Sequence, residues 1–263
     1  MSSKGARIIP LDVGTLEWDQ SEQTLRRGMG KRLNQPFIAW YIDGLSKKVL
    51  IDTGPSCEER AQRLHKVLNP RVSKEQETPQ ALKKIGIQPK DIEILILTHL
   101  HWDHVGQVDK FRNARILVTQ EEFKYAMCPL PPNRPGYETL IPGIEPVFSG
   151  SLSQFEYLDF VEEEILPGIK VFPTPGHTPG SISVEVMTQG GPFVIASDAI
   201  YTYDNLKGDP ANNLPFLMPG IYMDLEATWH SVERIYRRAQ CDMNRVIPGH
   251  DYEVLKRKAF PQK

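Results

Sequence analysis

Thr98-His99-Leu100-His101-Trp102-Asp103-His104 sets four metal-type side chains within six positions. In an extended segment, residues two apart project to the same side, so His99 and His101 can grip one ion together. Asp103 and His104 follow where the backbone turns towards a helix, and from there they can face a second ion. Imidazole and carboxylate are borderline-to-hard ligands suited to Zn, Fe, Mn or Co. Histidines are costly to bury together unless each is hydrogen-bonded or coordinated, so an idle cluster explains this stretch poorly. Five of the seven histidines, His99, His101, His104, His177 and His250, fall here or in two Pro-Gly-His turns. His65 and His230 lie in expected helices and read as packed or surface residues.

The two turns echo each other. Pro175-Gly176-His177 follows Val171-Phe172, and Pro248-Gly249-His250 follows Val246-Ile247. Pro-Gly makes a tight turn at a strand end and aims the next side chain from the rim of the sheet. A dinuclear site also needs a bridging carboxylate, and Asp198, just after the apolar run Phe193-Val194-Ile195-Ala196, is the candidate. Its local context alone reads equally well as a turn former.

The elements that must position these groups alternate between β-rich and helical runs. Ile8 to Val13, Phe37 to Ile42 and Val49 to Ile51 are apolar and bounded by turn residues, as strands are. Glu58 to Leu68 has helical spacing, and Thr78-Pro79 reads as an N-cap and first helical position, with Gly86 ending that helix. Ile92 to Leu97 is nearly all apolar, as expected of a strand buried on both faces. The proline- and glycine-rich stretch from Cys128 to Gly150 predicts a long irregular excursion, a lid or binding wall. Strands are expected again at Ile169 to Phe172, Ser181 to Val186 and Phe193 to Ala196. A helix from about Leu225 to Arg238 and a last strand around Arg245 to Ile247 complete the pattern.

The bulk properties exclude other classes. The 263 residues suit an α/β domain with ample core, and no linker or low-complexity tract divides them, so a single domain over 1–263 is expected. Lys+Arg of 31 against Asp+Glu of 33 offers no basic face for nucleic acid and no polybasic membrane anchor. Cys57, Cys128 and Cys241 are widely spaced and odd in number. They read as reduced, partly buried thiols, with no disulfide framework or thiolate site. Met-Ser-Ser-Lys-Gly-Ala-Arg runs into an apolar stretch too short for an export signal. No segment approaches a membrane span, and a cytoplasmic protein is expected.

In order and spacing, the His-x-His-x-Asp-His motif, His177, Asp198 and His250 resemble the metallo-β-lactamase superfamily. Leu50-Ile51-Asp52-Thr53-Gly54 is similar to its early Asp-Thr-Gly turn. The resemblance spans nearly the whole chain and implies an αββα sandwich of two mixed sheets flanked by helices. It implies that His99, His101 and His177 hold one metal, that Asp103, His104 and His250 hold another, and that Asp198 bridges them. Asp52 would then brace a ligand from behind. Two divalent ions are implied, zinc first, with Fe, Co or Mn admissible.

Among relatives, the zinc β-lactamases of the commonest type carry cysteine at the Asp198 position, and flavodiiron proteins carry glutamate at that of His101. Glyoxalase II adds a helical domain for which the 13 residues after His250 leave no room. Nucleic-acid-cleaving members usually carry extra basic modules. The chain most resembles the N-acyl homoserine lactonases. Asp198-Ala199-Ile200-Tyr201 is similar to their Asp-x-x-Tyr, Leu33-Asn34-Gln35-Pro36 to their N-terminal segment, and Trp102 to an aromatic position there, usually phenylalanine.

The resemblance implies lactone ring opening by a hydroxide held between two metals. Tyr201 would polarise the carbonyl and Asp103 would carry the proton. Departures at Cys128 to Pro146 and Asn205 to Met223 leave the substrate open. Another small lactone, an ester, a thioester or a cyclic amide is the first alternative, and an iron-dependent redox enzyme of the same fold is the second. A small-molecule substrate is expected, with no nucleic-acid or membrane partner. A homodimer is left open, because Gly14 to Pro36 could cross a two-fold interface or cap its own active site.

Overall fold

In the computed structural model, which describes residues 5–262, eleven strands form two mixed sheets. Residues 1–4, the start of the segment judged unsuited to export, lie outside the described residues. The first sheet runs β1 (Arg7–Asp19), β2 (Arg32–Asp43), β3 (Val49–Ile51), β4 (Ile94–Ile96), β5 (Arg115–Thr119) and β6 (Phe155–Leu158). Its β1–β2–β3 pairings are antiparallel and its β3–β4–β5–β6 pairings parallel. The second sheet comprises β7 (Glu163–Leu166), β8 (Ile169–Pro173), β9 (Ile182–Thr188), β10 (Gly191–Ser197) and β11 (Val246–Pro248), in the order β11-β10-β9-β8-β7. Only its β10–β11 pairing is parallel.

Period-two patterning builds the layers. Along β2, Ile38, Trp40 and Ile42 join Val171, Val184 and Ile195 of the other sheet in one core, while Phe37, Ala39 and Tyr41 face a second core outside. That outer core is closed by helices α2 (Glu58–His65) and α3 (Thr78–Lys84), which follow the short α1 (Gln20–Gln23). The parallel pairs are joined through α2 and α3, then α4 (Trp102–Val105), then α5 (Gln120–Met127) and α6 (Arg134–Tyr137). The β10-to-β11 crossover contains α7 (Tyr203–Lys207) and α8 (Leu225–Arg238), and α9 (Tyr252–Arg257) ends the order. The arrangement is the expected αββα sandwich. Among the described residues no helix is long and apolar enough to cross a membrane.

Some expectations need correction. Thr78 is the first residue of α3 and not its cap, because its hydroxyl donates to the Thr53 carbonyl at 2.5 Å. β1 continues past Val13 to Asp19, since Gly14, at φ +126, absorbs a register shift between Asp12 and Thr15. All three thiols are free and exposed, where partial burial was expected. Each sits at a helix end, Cys57 and Cys128 as the caps of α2 and α5 and Cys241 just beyond α8. The excursion after Cys128 is not wholly irregular, for it contains α6.

Candidate metal centre

The candidate residues lie beyond the carboxyl ends of β4, β8, β10 and β11, at one rim of the sandwich. His99 and His101 follow β4, and His101, in extended backbone, stands at the N-cap of α4, whose first turn carries Asp103 and His104. His177 arrives from the turn after β8, Asp198 directly follows β10, and His250 follows β11. Two bonds lock the sheets together here: Ile182 N–H donates to the Thr98 carbonyl at 3.0 Å, and the Thr98 and Ser197 hydroxyls lie 2.8 Å apart.

The residues fall into two groups, His99–His101–His177 and Asp103–His104–Asp198–His250, within each of which the ligand atoms lie within 4.8 Å of one another. His101 Nδ1 and His177 Nε2 approach to 2.9 Å. In the second group His104 Nε2 and His250 Nε2 each stand 3.1 Å from Asp198 Oδ1. Asp103 Oδ2 is 3.7 and 3.9 Å from the same two nitrogens. The other oxygen of Asp198 faces the first group, 3.4 Å from His177 Nε2 and 3.8 Å from His99 Nε2. One carboxylate thus addresses both clusters.

The far side of three of the rings is held. His104 Nδ1 lies 2.8 Å from Asp52 Oδ2, His250 Nδ1 3.0 Å from the Pro36 carbonyl, and His177 Nδ1 3.2 Å from that of Ile221. Nδ1–H donation to such acceptors leaves the Nε2 lone pairs turned inward. Asp52 also accepts from Thr98 N–H and from its hydroxyl. It therefore braces the His104 ring from behind, outside both groups.

The electrostatics match. Burial, with the neighbouring imidazoles, holds His99 and His101 well below the ordinary histidine range, and burial lowers His177 as well. Burial works against charge on His104 too, yet Asp198, Asp103 and Asp52 together raise it well above that range. Burial would raise Asp198, but His104, His250 and His177 hold it well below the usual carboxylate range. Nε2 of His99 and Nε2 of His104 are buried without a hydrogen-bond partner. An unsatisfied buried polar atom costs about 1–3 kcal/mol, a cost that a cation among these lone pairs removes. Converging imidazole nitrogens with interposed carboxylates fit two borderline divalent ions.

Tyr201 is fully buried beside the clusters, its hydroxyl 3.1 Å from His177 Nδ1 and 3.4 Å from the Ile221 carbonyl. Burial first, then Asp198 and Asp103, push its phenol well above the usual range. Asn205 fixes its backbone, Oδ1 accepting from Tyr201 N–H at 3.1 Å and Thr202 N–H at 2.9 Å. The segment from Gly14 to Pro36 caps its own site. Trp18 packs against the Tyr201 and His250 rings, with centroids 4.9 and 5.2 Å apart, and Gln23 donates to the Thr202 hydroxyl. The proline-rich excursion forms another wall, bringing the Tyr137 ring to 4.6 Å from that of His101. Trp102 is stacked on His65 at 3.9 Å, and His65 is held by Glu138 at 3.0 Å, while His230 is exposed.

Glu122, Trp18 and Asn205 escaped the sequence reading. Trp18 carries no local signal, whereas Asn205 is the third residue of the capping box that Thr202 opens at the start of α7. Thr119-x-x-Glu122 does have capping-box spacing, a cue for a helix start.

Two mixed sheets with helices outside, and paired imidazole–carboxylate clusters at one rim, define an αββα sandwich built around a candidate two-metal centre. The chain belongs to the metallo-β-lactamase superfamily, whose family model matches residues 39–257. It is similar to an N-acyl homoserine lactonase of a Bacillus species, 28% identical over 273 residues, covering 100% of this chain and 99% of the relative. Among solved structures it resembles a Bacillus thuringiensis AiiA variant with N-decanoyl-L-homoserine bound at the active site, with a TM-score of 0.75, 25% identity, and 97% and 96% of the two chains covered. An N-acyl homoserine lactone hydrolase with its product N-hexanoyl-L-homoserine bound at the catalytic metal center aligns with a TM-score of 0.74 and 25% identity, covering 97% of this chain and 96% of that one.

Proposed function

We propose that this chain is a metal-dependent lactonase that opens N-acyl-L-homoserine lactones, with residues 1–263 forming the single domain that carries the site. The observation that carries the reading is Asp198, whose two oxygens face separate histidine clusters, with the Tyr201 hydroxyl at the outer nitrogen of His177. The full-length similarity to named lactonases supports the substrate class. His99, His101 and His177 would hold one ion, Asp103, His104 and His250 the other, and Asp198 both, with zinc as the metal. Such a pair supplies, when bound, a Lewis acid for the carbonyl and water ionised near neutral pH.

The protein's own groups do the rest. Tyr201 keeps its proton, since burial and the adjacent carboxylates oppose its ionisation. Its 3.4 Å contact with the Ile221 carbonyl is long for a hydroxyl donor, so turning to a lactone oxygen sacrifices little. There it donates to the oxygen as charge develops. Asp103, whose side chain is 11% exposed, is the more accessible of the two carboxylates in its group. It takes the proton of the attacking water and returns it to the ring oxygen as the acyl C–O bond breaks. Water is thereby added across that bond, and the N-acyl-homoserine formed ionises and releases a proton.

Proton release from zinc-loaded protein, measured with N-acyl homoserine lactones, other γ- and δ-lactones and a β-lactam, tests the proposal. Acid from the homoserine lactones is expected. Acid from other lactones alone would move the substrate, and silence across the panel with two metals bound would remove the lactonase reading.

A further inference from the structure

Glu122 is a buried carboxylate that the reaction above leaves unused. It is fully buried in α5, and both its oxygens are occupied. Oε1 accepts from Leu100 N–H at 3.0 Å and from the Tyr137 hydroxyl at 3.0 Å. Oε2 accepts from the Thr178 hydroxyl at 2.7 Å and from Gly180 N–H at 3.2 Å. These donors come from three separate segments, and each segment bears on one cluster. Leu100 lies between His99 and His101, Thr178 is next to His177, and the Tyr137 ring packs against His101.

A residue that only filled space here would be better apolar, because burying a carboxylate costs several kcal/mol unless compensated. Nor does local helix chemistry account for it. In a capping box the acid at this position reaches back to the cap N–H. Here the Thr119 hydroxyl accepts from Glu122 N–H, but the carboxylate turns away into the histidine turns. The contact is tight, since a Cβ on Gly180 would stand 2.1 Å from Glu122 N. The second group has its own support in Asp52, bonded directly to His104. Among the described residues no carboxylate hydrogen-bonds to a ring of the first group in this way, and Asp198 is shared.

We propose that Glu122 is the positioning residue of the His99–His101–His177 group, holding the three rings as a preformed cation site and supplying fixed negative charge behind it. The inference rests on the two-metal reading given above. Its action passes through backbone and hydroxyl groups, so its signature is selective loss of metal at one of two sites.

The test is zinc titration against a chromophoric chelator for wild type, Glu122→Gln and Glu122→Ala, with histidine-ring nitrogen NMR to assign each site and melting of the metal-free proteins as a control. Wild type is expected to bind two zinc ions. Both variants should weaken zinc at the three-histidine group by about 10–100-fold, leaving the His104–His250 site unchanged. Thr178→Val keeps the carboxylate and removes one donor, and it should weaken the same site by about tenfold. Unchanged affinity in the Glu122 variants, or in Thr178→Val should those not fold, would overturn the inference while two-metal binding stood. Equal loss at both sites would also overturn it. A wild-type protein holding no zinc at the three-histidine group would overturn the two-metal reading itself, and this inference with it.

Discussion

Replacing Asp52 by asparagine should cost metal at one site through a single misplaced proton. Asp52 lies in left-handed backbone, φ 56°, which asparagine tolerates, so the fold is not what the substitution perturbs. Its Oδ1 accepts from Thr98 N–H at 2.8 Å, while Oδ2 accepts from the Thr98 hydroxyl at 2.7 Å and faces His104 Nδ1 at 2.8 Å. The backbone N–H can only donate, so the amide oxygen of the variant must take the Oδ1 place. The amide N–H₂ then confronts His104 Nδ1, which has to become an acceptor. Its proton moves to Nε2, the atom 3.1 Å from Asp198 Oδ1 that should present a lone pair to an ion. Loss of such an outer partner typically lowers metal affinity by about 10–100-fold. At about 1.4 kcal/mol per tenfold, this is roughly 1.4–2.8 kcal/mol. Chelator competition should find the His104 site weakened by that amount and the three-histidine site intact, with turnover falling in step. Asp52→Ala should add about 1–2 kcal/mol of left-handed strain to the loss, seen as a lower melting temperature. Wild-type zinc affinity at both sites in Asp52→Asn would refute the tautomer reasoning.

Other substitutions separate the roles of the site. Tyr201→Phe should retain two metals and lose about 10²–10³-fold in kcat, the usual worth of one oxyanion donor; near-wild-type turnover on a homoserine lactone would exclude that role. Asp198→Asn should lower metal occupancy and turnover together, and full activity with both ions retained would rule out a shared ligand. Gly249→Ala would set a Cβ 3.0 Å from Asp198 Oδ1, so metal content measured by atomic emission should drop while the far-ultraviolet circular dichroism is unchanged. In the metal-free protein the lowered His99, His101 and His177 take up protons less readily than the unfolded chain. Their contribution to stability is intact above the ordinary imidazole value of about 6.5 and is lost as pH falls through it. The raised His104 acts oppositely, its contribution being lost as pH rises above that value. Three groups against one predict a lower melting temperature at about pH 5.5 than at about pH 7.5, and a flat profile would contradict this balance.

The parts of the molecule that were legible are those where side-chain type and strand period agree. The apolar run Ile92 to Leu97 predicts a doubly buried strand, and β4 is buried throughout. The residues that follow it are chemically unusual, so their grouping could be anticipated without knowing the sheet order. Leu225–Arg238 is helical from end to end, over the span expected of it. What stayed hidden depends on contacts distant in sequence. Trp18 reaches His250 because β1 extends beyond its glycine bulge, and nothing near Trp18 records that. Glu122 bears a recognisable capping signal, but the signal points to the wrong use. Its donors come from segments as far as 58 residues away, beyond the reach of any local pattern. The exposure of the cysteines was misjudged for a related reason, since their average tendency to be buried yields to their place at helix ends.

The repeated Pro-Gly-His turns show how one short pattern can succeed through two different constraints. Both deliver a histidine to the same rim, as their identical sequence suggests. Gly176 has φ +130, and a Cβ there would lie 2.4 Å from Thr228 N, so this glycine is required both by its backbone conformation and by the start of α8. Gly249 is not in the left-handed region. A Cβ on it would meet the Ser197 carbonyl at 2.9 Å and Asp198 Oδ1 at 3.0 Å, so this glycine is required by the backbone at the end of β10 and by the shared carboxylate together. The first turn is shaped by the scaffold alone, the second by the scaffold and the candidate ligand beside it. Because β10 and β11 are parallel neighbours, Asp198 and His250 emerge side by side from their carboxyl ends, and only the absence of a side chain at Gly249 lets them close to 3.1 Å. The turn is therefore part of the site, although it supplies only one of the candidate ligands.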